Sequence, residues 1–330
     1  MINKVDYIVS LVGKNPMPSF ITILNYLEYN PGVFLVYTRK SEENIGTKKV
    51  AENIRDVLMN KDSKLTIELK ECDKSDPGEI DKVVKSIVEF IKEDVSQNKK
   101  HEEEVILFLD YSSGTKAMSA IFYEQIVNLE DDIIRTVVSY VDDRIIKLYS
   151  KTKKVNSVKI EDVFKGKNIS VEDIAKLHGY KISSNFRVID ENLGYIQGVE
   201  NEKIIFENGN NEQKIKVNGV AFLPSRGNLV LCFDSKKKNY KEQKLELFEN
   251  KYFTNKLGGD KSIFIYRANF RKSINNEDKD EIERYKKDLR NEIVRLYDYE
   301  MRNRCYLIDK EESFEKCIRD LSNNRQKGEE

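Results

Sequence analysis

Val105-Ile106-Leu107-Phe108-Leu109-Asp110-Tyr111-Ser112-Ser113-Gly114-Thr115-Lys116-Ala117-Met118-Ser119 is the stretch that decides how this chain folds. Five consecutive apolar residues ending on an acid suit a strand buried on both faces. Ser112, Ser113 and Gly114 favour a turn, and Thr115–Leu129 has helical spacing with Thr115 as a cap. A buried strand that turns directly into a helix is half of a parallel β–α–β unit. The first N–H groups of a helix lack partners within it, so this helix start aims donors at any bound anion. Gly114 permits close backbone approach, Ser112, Ser113 and Thr115 add hydroxyls, and Lys116 adds a positive charge. The loop is not a Walker A motif, because Thr follows Gly114 where Lys is needed, and no GxGxxG occurs. An ordinary strand–turn–helix link capped by Thr115 fits the same residues.

The alternation continues on both sides. Strands are expected at Val5–Val12, Val33–Thr38 and Leu65–Leu69, and helices at Ser19–Tyr29, Gly46–Met59 and Gly78–Val95. Closing strands are expected at Thr136–Val141 and Arg144–Tyr149, around Asp142-Asp143. Buried strands alternating with helices predict an α/β fold: a Rossmann-like, doubly wound domain with a parallel-sheet core over residues 1–150. Ligands in that architecture bind beyond the carboxyl ends of the strands. Three segments fall there: Gly13-Lys14-Asn15-Pro16-Met17-Pro18, Tyr37-Thr38-Arg39-Lys40, and Asp110 to Lys116. The glycine and prolines of the first also suit a plain turn into a helix.

Residues 151–185 are polar and are expected to form a linker, with a short helix at Val171–Leu177. From residue 186 a second α/β domain is expected. Its strands are Ile204–Phe206, Ile215–Phe222, Asn228–Phe233, Ser262–Tyr266 and Arg304–Ile308. Its helices are Lys241–Leu257, stopped by Gly258-Gly259, then Asp278–Arg302 and Glu312–Leu321.

Composition agrees with two domains in 330 residues and narrows the function. The formal net charge is zero, with 57 basic and 57 acidic side chains. The halves differ: residues 1–150 hold 20 basic and 26 acidic groups, residues 151–330 hold 37 and 31. No apolar run approaches the ~18 residues of a membrane helix. The N-terminus lacks the apolar core of a signal peptide, so a cytoplasmic protein is expected. Four scattered cysteines form no CxxC pair, which leaves zinc ribbons and redox motifs unsupported. With only His101 and His178, a three-histidine metal site is impossible within one chain. Neither histidine has an Arg four to six residues before it, which removes HEPN-type ribonuclease chemistry.

Val9-Ser10-Leu11-Val12-Gly13-Lys14-Asn15-Pro16-Met17-Pro18 and Leu109-Asp110-Tyr111-Ser112-Ser113-Gly114-Thr115-Lys116-Ala117-Met118 resemble the CARF domains, the CRISPR-associated Rossmann folds that sense cyclic oligoadenylates. The Gly-Thr-Lys-x-Met ending is the more specific of the two matches. The resemblance implies a homodimer whose paired domains enclose one cyclic RNA ring, with cyclic tetra-adenylate the first candidate and the ring size left open. Carried over, the pocket uses Gly13, Lys14, Asn15, Pro16, Met17 and Ser19 from one loop. From the other it uses Ser112, Ser113, Gly114, Thr115 and Lys116, with Thr38 and Arg39 as weaker candidates. Some such domains also cleave their activator; Lys14, Ser113 and Lys116 would be the candidates for that side activity.

In the second half, residues 214–244 hold eight basic and two acidic side chains. A solvated face accounts for such a run equally well. Asp234-Ser235-Lys236 closes a strand, and an acid two before a lysine suits metal-dependent phosphodiester hydrolysis. The carboxylate of Asp234 would bind Mg²⁺ or Mn²⁺, and Lys236 would position the attacking water. With Val217-Asn218-Gly219-Val220-Ala221-Phe222 before it and Leu257-Gly258-Gly259 after it, this segment resembles the PD-(D/E)xK restriction-endonuclease-like domain of CARF-linked nucleases. Asn218, Asp234 and Lys236 match that pattern. Gly219 stands where Glu is usual, and Ala221 where the metal-binding Asp is expected. Ala221 is therefore an inactivating replacement, a mark of natural decay, or a sign that Glu200, Glu202, Glu207 or Glu212 completes the site.

The resemblance implies a cyclic-oligoadenylate-activated, metal-dependent nuclease of type III CRISPR antiviral defence, cutting single-stranded RNA or DNA with little sequence preference. The alternative is a non-catalytic sensor whose degenerate nuclease domain acts as a binding module.

Overall fold

A computed structural model describes residues 4–40, 45–98, 104–142, 145–152, 154–191, 194–199, 202–208, 213–224, 227–259, 261–274, 278–297 and 304–323. The chain divides into two units, 1–168 and 169–330.

The first unit is a doubly wound sheet. β1 (Tyr7–Val12), β2 (Gly32–Thr38), β3 (Ile67–Cys72), β4 (Val105–Asp110) and β5 (Ile134–Asp142) run parallel, and β6 (Ile145–Tyr149) and β7 (Val158–Lys159) close it antiparallel. The order is β3-β2-β1-β4-β5-β6-β7. Every residue of β1 and β4 is buried, as expected for central strands covered on both faces. α3 (Pro77–Asn98) and α4 (Lys116–Val127) pack on one face, where Ile80, Val84, Ile87 and Ile91 meet Val9, Leu11, Leu107 and Leu109. α1 (Met17–Asn25) packs on β1, and α2 (Lys48–Lys61) on β2 and β3. Strand order reverses between β1 and β4, so the switch-point crevice opens where the loops 13–16 and 111–115 leave the sheet.

The second unit carries a six-stranded sheet, β16-β15-β14-β13-β10-β9. β14 (Asn228–Asp234), β15 (Ile263–Ala268) and β16 (Cys305–Asp309) are parallel; β13 (Gly219–Leu223), β10 (Tyr195–Gly198) and β9 (Phe186–Asp190) are antiparallel. α7 (Tyr240–Gly258) connects β14 to β15 and ends at Gly259, whose φ of +77° suits only glycine comfortably. α8 (Phe270–Ile274), α9 (Lys279–Leu296) and α10 (Phe314–Asn323) complete the cover. A second sheet has three strands, β12 (Lys214–Val217), β11 (Ile204–Asn208) and β8 (Tyr180–Ile182).

Two expectations change. The segment 151–185 is not a bare linker. β7 and α5 (Ile160–Phe164) belong to the first unit, α6 (Val171–Leu177) and β8 to the second. Its polar composition hides Ile160, Val163, Phe164, Val171, Ile174 and Leu177, which are all buried. The single strand expected at Ile215–Phe222 is two, because the chain leaves the small sheet and enters the large one at Asn218. The helix expected to run to Arg302 is described as far as Leu296, and residues 298–303 lie outside the described residues, as does His101. Among the described residues no helix is long and apolar enough to cross a membrane.

Candidate functional site

The two loops at the first unit's switch point are pressed together. A Cβ on Gly13 would lie 2.3 Å from the Ser113 carbonyl oxygen, and one on Gly114 2.7 Å from a Leu11 methyl. Both positions therefore need glycine for close approach. Beneath them Asp110 is completely buried. Its carboxylate accepts hydrogen bonds from Ser10 Oγ at 2.8 Å, Ser112 N at 3.1 Å and Ser112 Oγ. Burial pushes its pKa up, and these three donors pull it back. Ser112 Oγ in turn accepts from Val141 N at 2.8 Å, so this hydroxyl joins β4, the loop and β5.

Several of the expected ligand residues thus build the loop. Thr115 Oγ1 caps α4 by accepting from Met118 N, and it donates to the Lys74 carbonyl at 2.7 Å. Ser19 is buried with its hydroxyl directed at the Leu11 carbonyl. Thr38 is buried against Thr47, whose Oγ1 accepts from Thr38 N and donates to Val12 O. Arg39 is exposed and pairs with Glu71 at 2.8 Å. Met17 and Pro16 are buried, and Asn15 Oδ1 accepts from Met17 N at 3.1 Å.

What remains open is a set of donors. Among the described residues, the backbone N–H groups of Ser113, Gly114, Thr115, Lys116 and Ala117 have no acceptor. Lys14 and Lys116 are exposed and make no ion pair among the described residues. The start of α1 differs, because Pro16 and Pro18 have no N–H and Met17 N is already bonded. Five consecutive free donors at the start of α4, with exposed Lys14 and Lys116 on the same two loops, suit phosphate oxygens. The supporting roles of Asp110, Ser10, Thr47 and Lys74 beneath and beside the loop were not anticipated from sequence. An acid at a strand end with a serine two residues on is the Asx-turn signal that could have revealed the role of the first.

In the second unit the structure unites some expected residues and separates others. Asp234 N donates to Asn218 Oδ1 at 2.8 Å. Lys236 is exposed two residues on, followed by exposed Lys237 and Lys238, and none of the three forms an ion pair among the described residues. Ala221 is not beside Asp234. It pairs in register with Val230, four residues before Asp234, a separation of roughly 13 Å along the strand. It is fully buried among Leu223, Val230, Cys232, Ile265 and Ile318. Gly219, where the resemblance expects Glu, faces the ring of Tyr195, which would stand 2.9 Å from a Cβ.

The Asp234 carboxylate is engaged. Lys310 Nζ lies 2.9 Å from both of its oxygens and Arg267 Nε 3.2 Å from one. Glu207 pairs with Lys214 at 2.7 Å in the small sheet, Glu202 is exposed in a loop, and Glu200 and Glu212 lie outside the described residues. Among the described residues no group of three His, Cys, Asp or Glu side chains could hold a metal. A hard cation needs several oxygen ligands, and one carboxylate already held by two cations does not fit Mg²⁺ or Mn²⁺. Behind the strand end, Ser235 Oγ and Tyr266 OH both donate to Glu246, the latter at 2.7 Å. Gln243 Nε2 donates to the Lys237 carbonyl at 3.0 Å, which fixes the exit of the Asp-Ser-Lys segment.

These features define a Rossmann-like, doubly wound α/β unit followed by a second α/β unit built on a mixed sheet. Solved structures share this arrangement. The chain superposes on Can2 of Sulfobacillus thermosulfidooxidans, solved in complex with cyclic tetra-adenylate, with a TM-score of 0.58 over 92% of both chains at 11% identity. Protein VC1899 of Vibrio cholerae matches with a TM-score of 0.61 over 97% of this chain and 96% of that one, at 9% identity. A type III CRISPR defence DNA nuclease activated by cyclic oligoadenylate matches at 0.52 and 13% identity, over 81% of this chain and 46% of the nuclease. At these identities the likeness is one of fold. No protein-family model and no curated protein matches the sequence.

Proposed function

We propose that this chain is a cyclic-oligoadenylate-gated effector of type III CRISPR defence, acting in the cytoplasm as a homodimer. Residues 1–168 take the ring, with cyclic tetra-adenylate as the first candidate, and residues 169–330 engage single-stranded RNA or DNA. The observation that carries the proposal is the run of free N–H groups from Ser113 to Ala117, between Lys14 and Lys116, at the switch point of the sheet. A ring of phosphodiesters presents anionic oxygens around a compact perimeter. Backbone donors and a few cations meet it without requiring a basic domain, which agrees with the acidic excess of the first half. Asn15, Ser113, Gly114, Lys14 and Lys116 are the contact residues in this reading. Gly13, Ser112, Thr115, Ser19, Thr38 and Arg39 shape and hold the loops.

For the second unit, exposed Lys236, Lys237, Lys238 and Lys241 offer a backbone grip that is indifferent to base sequence. Ring binding would shift the population of an arrangement that admits the nucleic acid. The likeness to a cyclic-oligoadenylate-activated DNA nuclease supports hydrolysis as the outcome of that engagement, with Asp234 and Lys236 as its residues. The ion pairs on Asp234 and the burial of Ala221 favour the second reading, a gated binding module.

The test is to incubate the full chain with cyclic tetra- or hexa-adenylate, Mg²⁺ or Mn²⁺, and single-stranded RNA, single-stranded DNA or plasmid. Ring-dependent cleavage supports the nuclease reading. Ring-dependent retention of intact nucleic acid supports the binding module. Failure to bind either ring removes the sensor.

A further inference from the structure

The strand end that carries Asp234 lies beside Arg267 at the end of β15 and Lys310 just past β16. Three observations bear on what this corner can hold. First, Lys310 and Arg267 occupy the carboxylate, and Arg267 is itself fixed. Its guanidinium carbon lies 4.1 Å from the Phe314 ring centroid, and its Nη1 donates to the Glu312 carbonyl at 3.3 Å. Second, the neighbouring strand cannot supply another acid: Tyr195 fills the space at 219, and Ala221 is sealed in the apolar cluster four residues away. Third, Lys236 projects from the same segment with no counter-ion among the described residues.

We propose that Lys310 and Arg267 are the built-in counter-ions of Asp234, and that this corner grips phosphodiester backbone through Lys236 without a divalent cation. The proposal rests on the reading of the second unit as a nucleic-acid-engaging module and settles how that module works. With Asp234 neutralised from within, the excess charge at the corner is positive. A carboxylate arranged to receive a metal repels its own neighbours until the metal arrives, so removing it stabilises the empty protein. A carboxylate that satisfies two internal cations does the reverse.

The experiment uses the full chain in three measurements: Mn²⁺ titration followed by calorimetry, thermal melting in EDTA, and anisotropy of a labelled single-stranded RNA or DNA in EDTA, with and without cyclic tetra-adenylate. The expected results are no Mn²⁺ uptake that Asp234→Asn abolishes, and a melting temperature for the second unit lowered by about 3 °C in Asp234→Asn. Lys310→Met, which removes a counter-ion instead of the acid, should shift melting in the same direction. Nucleic-acid binding should persist in EDTA and weaken at least about threefold in Lys236→Ala, with a shallower salt dependence. Stoichiometric Mn²⁺ lost in Asp234→Asn would overturn the proposal, as would unchanged or raised melting in that variant, or binding that requires Mn²⁺. Calorimetry with cyclic tetra-adenylate on the same preparation reports on the sensor unit separately, so failure of the gating reading is distinguishable.

Discussion

Gly13 and Ser113 meet across the switch point of the first sheet so closely that a methyl group on Gly13 would sit 2.3 Å from the Ser113 carbonyl oxygen. The contact couples the loop after β1 to the loop after β4. Gly13→Ala should therefore drive the loops apart and weaken ring binding about tenfold or more, equivalent to about 1.4 kcal/mol. Calorimetric titration with cyclic tetra-adenylate checks this, and unchanged affinity would show that the loops need not touch.

Adjacent serines should behave differently. Ser112→Ala strands Val141 N–H and removes the hydroxyl's hydrogen bond to buried Asp110, at a cost of about 1–3 kcal/mol in stability. Only the hydroxyl bonds are lost, so the backbone bond from Ser112 N survives. Ser113 has no such internal role, so Ser113→Ala should leave thermal melting unchanged and lower ring affinity alone.

Lys116→Ala and Lys14→Ala should weaken ring binding and each reduce the slope of log affinity against log salt by about 1. Affinities measured at several salt concentrations decide this. A lost affinity with an unchanged slope would mean that the lysine acts through loop shape and not as a phosphate contact.

The fold of the first unit was legible in the sequence because its central strands are continuous apolar runs and Gly114 and Thr115 mark a turn and a cap. The roles within the loop were less legible. Ser112 and Ser113 look equivalent as letters, and only the fold shows that one hydroxyl is consumed by Asp110 and Val141. Ala221 was misleading for a related reason. The resemblance put it where a metal-binding Asp is expected, whereas the hairpin register pairs it with Val230, four residues before Asp234. Arg267 and Lys310, more than 30 and 70 residues beyond Asp234, reach it only through the parallel pairing of β14, β15 and β16.

Register also predicts the outcome of restoring the expected acid. Ala221→Asp places a carboxylate among Leu223, Val230, Ile265 and Ile318, with no cation nearby in that cluster. It should destabilise the second unit by about 3–5 kcal/mol and confer no metal binding. Ring-dependent cleavage gained by Ala221→Asp would show that the register shifts when the unit is active.

His178 gives the second unit a pH dependence. It is half-buried at the end of α6 with Nε2 shielded from water, and this desolvation pushes its pKa down to about 4 from an ordinary value near 6.5. Between these values the unfolded chain binds a proton that the folded unit does not, so stability is complete above about pH 6.5 and falls as the pH drops towards 4. The loss should reach roughly 3 kcal/mol. Denaturant melts at pH 7 and 4.5 check it, and a His178→Asn variant with the same pH dependence would assign the loss elsewhere.

Calorimetric titration of the full chain with cyclic tetra-adenylate is the most direct measurement of the central claim, with Lys116→Ala in parallel. The account predicts saturable binding at one ring per two chains, weakened in the variant. No uptake of either the tetra- or the hexa-adenylate ring by the unaltered chain would contradict it.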